Sequence, residues 1–272
     1  MDARNPGPVL IRGLGDVGSA VAAVLFRAGY RVALHDVPAP ATPRRGMAFA
    51  DAIFDGSTTL NGLTAKRVES AEELHQALAR VVTLPVAIWP FADMLRAADW
   101  SVVVDARMRK REIPEQQRGI APLTIGLGPN FVAGGNVDLA IETSWGDNLG
   151  VVIAVGPTLP LDGEPRPIGG VARARFVYAP RAGRFDTAMH IGDWVEEGAV
   201  VAAIAGTALR APISGIIRGL TRDGVDVGIR AKVIEVDPRG DPAAAFGLGE
   251  RPRRIAEGVF KALTTTFAAE PA

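Results

Sequence analysis

Residues 9–36 read VLIRGLGDVGSAVAAVLFRAGYRVALHD. Val9 to Arg12 is short and apolar, as a buried strand is. Gly13-Leu14-Gly15-Asp16-Val17-Gly18 follows it. Ser19 to Arg27 is rich in helix formers and runs out at Ala28-Gly29, where a glycine can close a helix. Tyr30 to His35 is a second buried strand, and it ends on Asp36. An acid therefore stands 23 residues after the first glycine of Gly-x-Gly-x-x-Gly, close to the spacing at which a carboxylate meets ribose hydroxyls in dinucleotide sites. Gly13 permits a tight turn, Gly15 lets a pyrophosphate approach the amides at a helix N-terminus, and Gly18 permits close packing of helix on strand. Asp16 puts a negative charge inside that loop, close to where a phosphate would lie.

Working outward, strands and helices keep alternating. Pro38 to Pro43 is a stiff, proline-rich loop, followed by Arg44-Arg45 and an apolar helical stretch, Met47 to Phe54. Ser70-x-x-Glu73 is a capping box that predicts a helix over Glu72 to Arg80. Leu84 to Trp89 reads as a strand, Phe91 to Ala98 as a short helix, and Ser101 to Asp105 as a buried strand ending in an acid. This alternation predicts a Rossmann-like, doubly wound parallel sheet. In such sheets ligands sit outside the carboxyl ends of the strands. Gly13 to Gly18, Asp36, and Asp105 with Arg107, Arg109, Lys110 and Arg111 are placed there. Arg44 and Arg45 follow the second strand by a loop. These arginines form a candidate clamp for phosphate oxygens, and a solvated basic turn paired with surface acids is the alternative.

Composition narrows the possible functions. In 272 residues, 48% are hydrophobic and 22% charged, as in globular proteins, and two domains are expected. No apolar run approaches the roughly 20 residues that span a bilayer, and Met1 to Pro6 lacks the apolar core of a signal peptide, so a cytoplasmic location without membrane attachment is expected. There is no cysteine, which excludes disulfides, thiolate metal sites and a cysteine nucleophile. The formal net charge is +0, so no global field attracts nucleic acid.

A second glycine-rich stretch, Ala121-Pro122-Leu123-Thr124-Ile125-Gly126-Leu127-Gly128-Pro129-Asn130-Phe131, offers amides at Gly126 and Gly128 that could cradle an anion. Further on, Ala179-Pro180-Arg181-Ala182-Gly183 recurs 32 residues later as Ala211-Pro212-Ile213-Ser214-Gly215. Each copy leads through a short strand and a Gly-Asp or Asp-Gly turn to another strand. The pattern resembles a small all-β biotinyl/lipoyl-like barrel-sandwich domain. Such domains carry a cofactor on a lysine at a hairpin tip. Here the tip falls near Ala205-Gly206-Thr207-Ala208, and the four lysines, Lys66, Lys110, Lys232 and Lys261, lie elsewhere. Lysine-attached biotin or lipoate is therefore not expected. The organisation expected is 1–156 for a nucleotide-binding domain, 157–170 for a linker or flap, 171–240 for the barrel sandwich and 250–268 for a C-terminal helix.

The run Ala121 to Gly134, then Glu142-Thr143, then Gly146-x-x-Leu149-Gly150, with Ile168-Gly169-Gly170 and the Ala-Pro-x-x-Gly repeats in order, resembles the accessory family associated with selenium-dependent molybdenum hydroxylases, loosely grouped with xanthine dehydrogenase accessory factors. That resemblance implies an accessory or maturation protein for a molybdenum hydroxylase. It would bind NAD(P), another nucleotide, or an anionic ligand related to the molybdenum cofactor at the sheet edge, and its partner would be the hydroxylase or its maturation machinery. The family pattern has histidines where Asp138 and Asp147 stand, so Asp138, Glu142 and Asp147 become candidates for a hard-cation site, with acids capping turns as the alternative. An NAD(P)-dependent oxidoreductase and a non-catalytic scaffold are the other readings. No Tyr-x-x-x-Lys pair supports the former, and homo-oligomerisation is left open.

Overall fold

The computed structural model describes residues 7–161, 163 and 165–268. Residues 1–6 of the expected first domain, and Asp162 and Glu164 of the expected 157–170 linker, lie outside the described residues. Two compact units are present. One holds the described residues of Met1–Pro38, Asp51–Asp162 and Leu248–Ala272, and the other holds those of Ala39–Ala50 and Gly163–Gly247.

In the first unit the chain runs β1 (Val9–Arg12), α1 (Asp16–Arg27), β2 (Val32–His35), α2 (Ala52–Asp55), β3 (Ser57–Leu60), β4 (Leu63–Arg67), α3 (Ala71–Arg80), β5 (Leu84–Ala87), α4 (Phe91–Arg96), β6 (Val102–Asp105), β7 (Leu123–Leu127), β8 (Val132–Ala133), β9 (Leu139–Ile141), β10 (Val152–Ile153), β11 (Gly156–Pro157) and α5 (Glu250–Ala268). Nine of these strands form one sheet in the order β10-β9-β7-β6-β1-β2-β5-β4-β3, and β8 pairs with β11 in a separate two-stranded sheet. The central strands β4, β5, β2, β1, β6, β7 and β9 are parallel. Strands β1, β2, β5 and β6 are buried at every position, as expected of a sheet covered on both faces. Leu10, Ala33, Ala87 and Val103 pack with Leu74, Leu78 and Met94 of α3 and α4. Helix α1 packs on α5, where the rings of Tyr30 and Phe260 meet edge to face at 6.3 Å.

The expected doubly wound parallel sheet is corrected, because the sheet is mixed. Strand β3 runs antiparallel to β4 at one margin and β10 runs antiparallel to β9 at the other. The first margin has a local cause. Asn61 and Gly62 both adopt left-handed φ, 49° and 77°, which is the two-residue turn that folds a strand back on itself.

The second unit holds β12 (Phe176–Tyr178), β13 (Gly183–Asp186), β14 (Trp194–Val195), β15 (Val200–Ile204), β16 (Thr207–Arg210), β17 (Gly215–Leu220), β18 (Asp226–Val227) and β19 (Lys232–Asp237). The expected barrel sandwich is corrected to two separate four-stranded antiparallel sheets, β12-β19-β17-β14 and β16-β15-β13-β18. Phe185, Ile204, Ile217, Leu220, Ile234 and Val236 are among the buried core residues. The repeat is visible in the backbone: Gly183 and Gly215 open β13 and β17 at φ 150° and 156°. The β15–β16 turn is Ala205-Gly206, with φ 46° and 79°.

Segment 39–50 is tied to this second unit by apolar packing of Ala41 on its core and by charge. Glu235, fully out of solvent, receives Arg44 through Nε at 2.8 Å and Nη2 at 3.0 Å. Arg175 Nε approaches it at 3.3 Å and Lys232 Nζ at 3.5 Å. Arg45 Nε donates to the Leu220 carbonyl at 2.9 Å, and the Leu220 amide donates to the Pro43 carbonyl at 2.7 Å. Burial works to raise the Glu235 pKa, but the Arg44 and Lys232 charges outweigh it and hold the carboxyl well below the usual range. A depressed carboxyl contributes stability above its unfolded pKa of about 4.3 and loses it as pH falls through the folded value. Glu235→Gln is expected to cost about 3–5 kcal/mol at neutral pH, because it strands buried cations. It should also flatten the acid limb of the melting temperature measured against pH below about pH 4.5.

Candidate functional site

The parallel register sets the geometry. Ala87, His35, Arg12, Asp105 and Gly126 are Cα partners in one row across β5, β2, β1, β6 and β7. Residues in one such row project to the same face. That row holds the last residues of β5, β2, β1 and β6 and the next-to-last of β7, so it lies at the carboxyl edge of the sheet, where the Gly13 to Gly18 loop also begins.

The three loop glycines differ in what surrounds them. Gly13 has φ 104°, and a Cβ there would lie 2.9 Å from the Ala106 carbonyl and the Arg107 Cα. At Gly18 a Cβ would collide with the Gly13 carbonyl, so it lets α1 close on the loop. Gly15 is the N-cap of α1 with ordinary φ −66° and no side-chain cap, and a Cβ there would meet nothing within 4 Å. The Asp16 carboxylate accepts the Val17 amide at 3.1 Å. Asp36 holds the loop from the next strand: Oδ2 accepts the Leu14 amide at 2.7 Å and Oδ1 accepts the Val37 amide at 2.8 Å. Burial raises the Asp36 pKa, and those two amides oppose the rise.

Beside the loop lies a dense set of charges. Asp105 accepts Arg107 Nε at 3.0 Å and Gln117 Nε2 at 2.6 Å, and Arg107 Nη2 also reaches it. Burial works to raise the Asp105 pKa, yet these bonds and the Arg107 charge hold it below the ordinary aspartate value. His35 is buried, with Nε2 2.8 Å from the Trp89 carbonyl, and burial lowers its pKa. Of the expected clamp, Arg107 and Arg109 are therefore at this edge, each paired with acids, whereas Arg44 and Arg45 fasten the second unit internally.

The second glycine stretch is filled by its own chain. A Cβ at Gly126 would run into the Phe131 ring, and Gly128, at φ 108°, faces Met108 and Thr143. The three candidate cation ligands are not brought together. Asp138 precedes β9, where it accepts Thr124 Oγ1 at 2.6 Å and Arg118 Nε at 2.9 Å. Glu142 follows the same strand, about 13 Å of extended chain away, and accepts the Thr143, Ser144 and Leu159 amides at 2.7 Å each. Asp147 is exposed in a turn. Among the described residues no group of three or more His, Cys, Asp or Glu side chains could hold a metal ion. Sequence reasoning passed over Arg12, Glu115 and Gln117. The first had a signal, since an arginine closing an otherwise apolar strand must meet an anion if it is buried.

No family model matches the chain. It is 38% identical over 255 residues to "Uncharacterized protein YqeB" of Escherichia coli (strain K12), taking in 94% of this chain and 47% of that protein. The chain thus spans about half the length of that curated relative. Similar solved structures include an aspartoacylase family protein from Mesorhizobium loti (14% identity, 88% of each chain, TM-score 0.27). Another is a succinylglutamate desuccinylase/aspartoacylase from Rhodobacter sphaeroides (17% identity, 87% of this chain and 88% of that one, TM-score 0.28). A third is the ectoine utilization protein EutE (DoeB) from Ruegeria pomeroyi (15% identity, 86% of each chain, TM-score 0.25). None of these is described as a molybdenum hydroxylase accessory or an NAD(P)-dependent oxidoreductase. Those two expectations are corrected accordingly. TM-scores of this size define no shared site or activity. No described helix is long and apolar enough to cross a membrane.

Asp36→Ala leaves the Leu14 amide without its acceptor. The expected cost is about 1–3 kcal/mol, read as a lower melting temperature together with faster hydrogen exchange at Leu14.

Proposed function

We propose that the first unit binds an anionic small molecule, a nucleotide such as NAD(P) or a relative of it, with a phosphate over Gly15 at the N-terminus of α1. No hydride-transfer role is part of this reading. The observation that carries it is the open space at Gly15. Gly13 and Gly18 are glycines because the chain itself leaves no room, whereas nothing in the fold crowds position 15. A helix N-terminus presents unsatisfied amides and the positive end of the helix dipole, and these favour phosphate. A carboxylate oxygen can accept more than one hydrogen bond, so Asp36 can anchor Leu14 and still receive a ribose hydroxyl.

Gly15→Val tests the reading cleanly, because its backbone is one any residue adopts and its side chain would point into empty space. The variant should lose only about 1 kcal/mol of stability, the cost of valine in place of glycine at an N-cap, and lose at least about tenfold in affinity, about 1.4 kcal/mol, when ADP, NAD and NADP are titrated calorimetrically. Unchanged affinity for every nucleotide that binds the wild type would remove the phosphate from Gly15. Asp16→Asn should act the other way and tighten binding by about two- to fivefold, since it removes a negative charge from the helix N-terminus.

A further inference from the structure

Arg12 closes β1 almost wholly out of solvent, at 6% exposure. Its Cζ lies 3.4 Å from the centre of the Phe91 ring, and its buried Nε has no hydrogen-bond partner. An arginine stays charged at any working pH, so this depth requires an anion nearby. Two carboxylates supply it: Asp105 lies beside Arg12 in the register of the next strand and its charge favours the ionised guanidinium, and Glu115 accepts Arg12 Nη1 at 3.0 Å. The same carboxylate accepts Arg107 Nη2 at 2.7 Å and Arg109 Nη2 as well. Three guanidiniums thus converge on one pair of oxygens, an arrangement that suits a bound phosphate.

Glu115 is the acid of this cluster best placed to give way. Its side chain is 47% exposed, against 2% for Asp105, and residues 106–122 form no helix or strand. If Glu115 moved off, Arg107 would keep Asp105 and Arg109 would keep Glu112 at 3.1 Å. Arg12 would keep only the Asp105 charge beside it and would lose the carboxylate that its Nη1 bonds, with its Nε still unpartnered. The cluster adjoins the glycine loop, since Arg12 precedes Gly13 in the chain and the Arg107 Cα lies against Gly13.

We propose that Arg12, Arg107 and Arg109 form a binding site for a phosphate group, and that Glu115 occupies it as an internal counter-ion until the ligand's phosphate displaces it. The site stands on its own side chains. Only its identification with a nucleotide phosphate rests on the reading of Gly15.

The test is calorimetric titration of the full chain with inorganic pyrophosphate and with ADP, for wild type and Glu115→Gln. The variant should bind pyrophosphate about tenfold more tightly, because the competing carboxylate is gone. Its melting temperature, lowered in phosphate-free buffer, should rise toward the wild-type value when phosphate is added. Affinities within twofold of each other, or a melting temperature that phosphate leaves unmoved, would overturn the site. Should Glu115→Gln fail to unfold cooperatively, Arg109→Ala decides instead: weakened pyrophosphate binding supports the site and unchanged binding overturns it. The two readings fail separately. ADP binding that Gly15→Val abolishes but Glu115→Gln leaves unaltered keeps the loop and removes the arginine site. Tighter pyrophosphate binding in Glu115→Gln, in a chain that binds no nucleotide, does the reverse.

Discussion

A guanidinium held out of water at the end of β1 sets the terms for the whole carboxyl edge of the sheet. Arg12 cannot shed its charge, so the neighbouring strand must supply an acid. The register places Asp105 beside it, and the following loop brings Glu115 onto its tip. His35, on the other side in the same row, must then avoid adding a second cation. Burial lowers its pKa, and the Arg12 charge pushes the same way. A carbonyl can only accept, so the contact with the Trp89 oxygen puts the proton of the neutral ring on Nε2. The edge is therefore an ordered alternation of neutral imidazole, cation and anion, and that order follows from which residue ends each strand.

The second unit solves the opposite problem with the same physics. There the fixed point is an anion, Glu235, and the fold gathers cations around it from distant parts of the sequence. Arg44 comes from a segment that otherwise belongs, by chain order, to the sheet of the first unit. Paired bidentate bonds to a fully buried carboxylate are strong and directional, and the Leu220–Pro43 backbone bond fixes the rest of the segment. Removing either partner alone would leave a charge in a poorly solvating interior. The assignment of 39–50 to the β-rich unit thus has an electrostatic part, added to the packing of Ala41 on that unit's core.

This difference explains what could be read in advance. Periodicity and caps are local, so β1, α1, β2 and the Ser70 cap of α3 were legible; the Ser70 hydroxyl does accept the Glu73 amide, at 3.2 Å. The Asn61-Gly62 pair was also a local signal, and reading it would have supplied the antiparallel margin at β3. Long-range charge pairing carries no such signature. Nothing near Arg44 in sequence points to Glu235, 191 residues away, so an arginine pair following a strand was drawn to the nearest expected phosphate. Asp138 and Glu142 look like neighbours in a list of acids, but an extended strand between them carries them apart.

The glycine fingerprint shows how far a motif can be pressed. Its three glycines and its acid are present, yet most of them are used by the chain itself. Gly13 makes room for Ala106 and Arg107, Gly18 for the Gly13 carbonyl, and Asp36 binds the Leu14 amide. Those three positions would be selected in a loop that bound nothing. Gly15 is different. Serine or aspartate at an N-cap would serve the helix slightly better, by a few tenths of a kcal/mol, and the backbone there tolerates any residue. A glycine that the fold does not crowd, at a helix start where the Asp16 side chain takes up the Val17 amide, is explained by something approaching from outside. A ligand is thus called for by the one glycine of the motif that the chain does not crowd, and by a buried arginine beside it whose hydrogen-bonded carboxylate is borrowed from a loop.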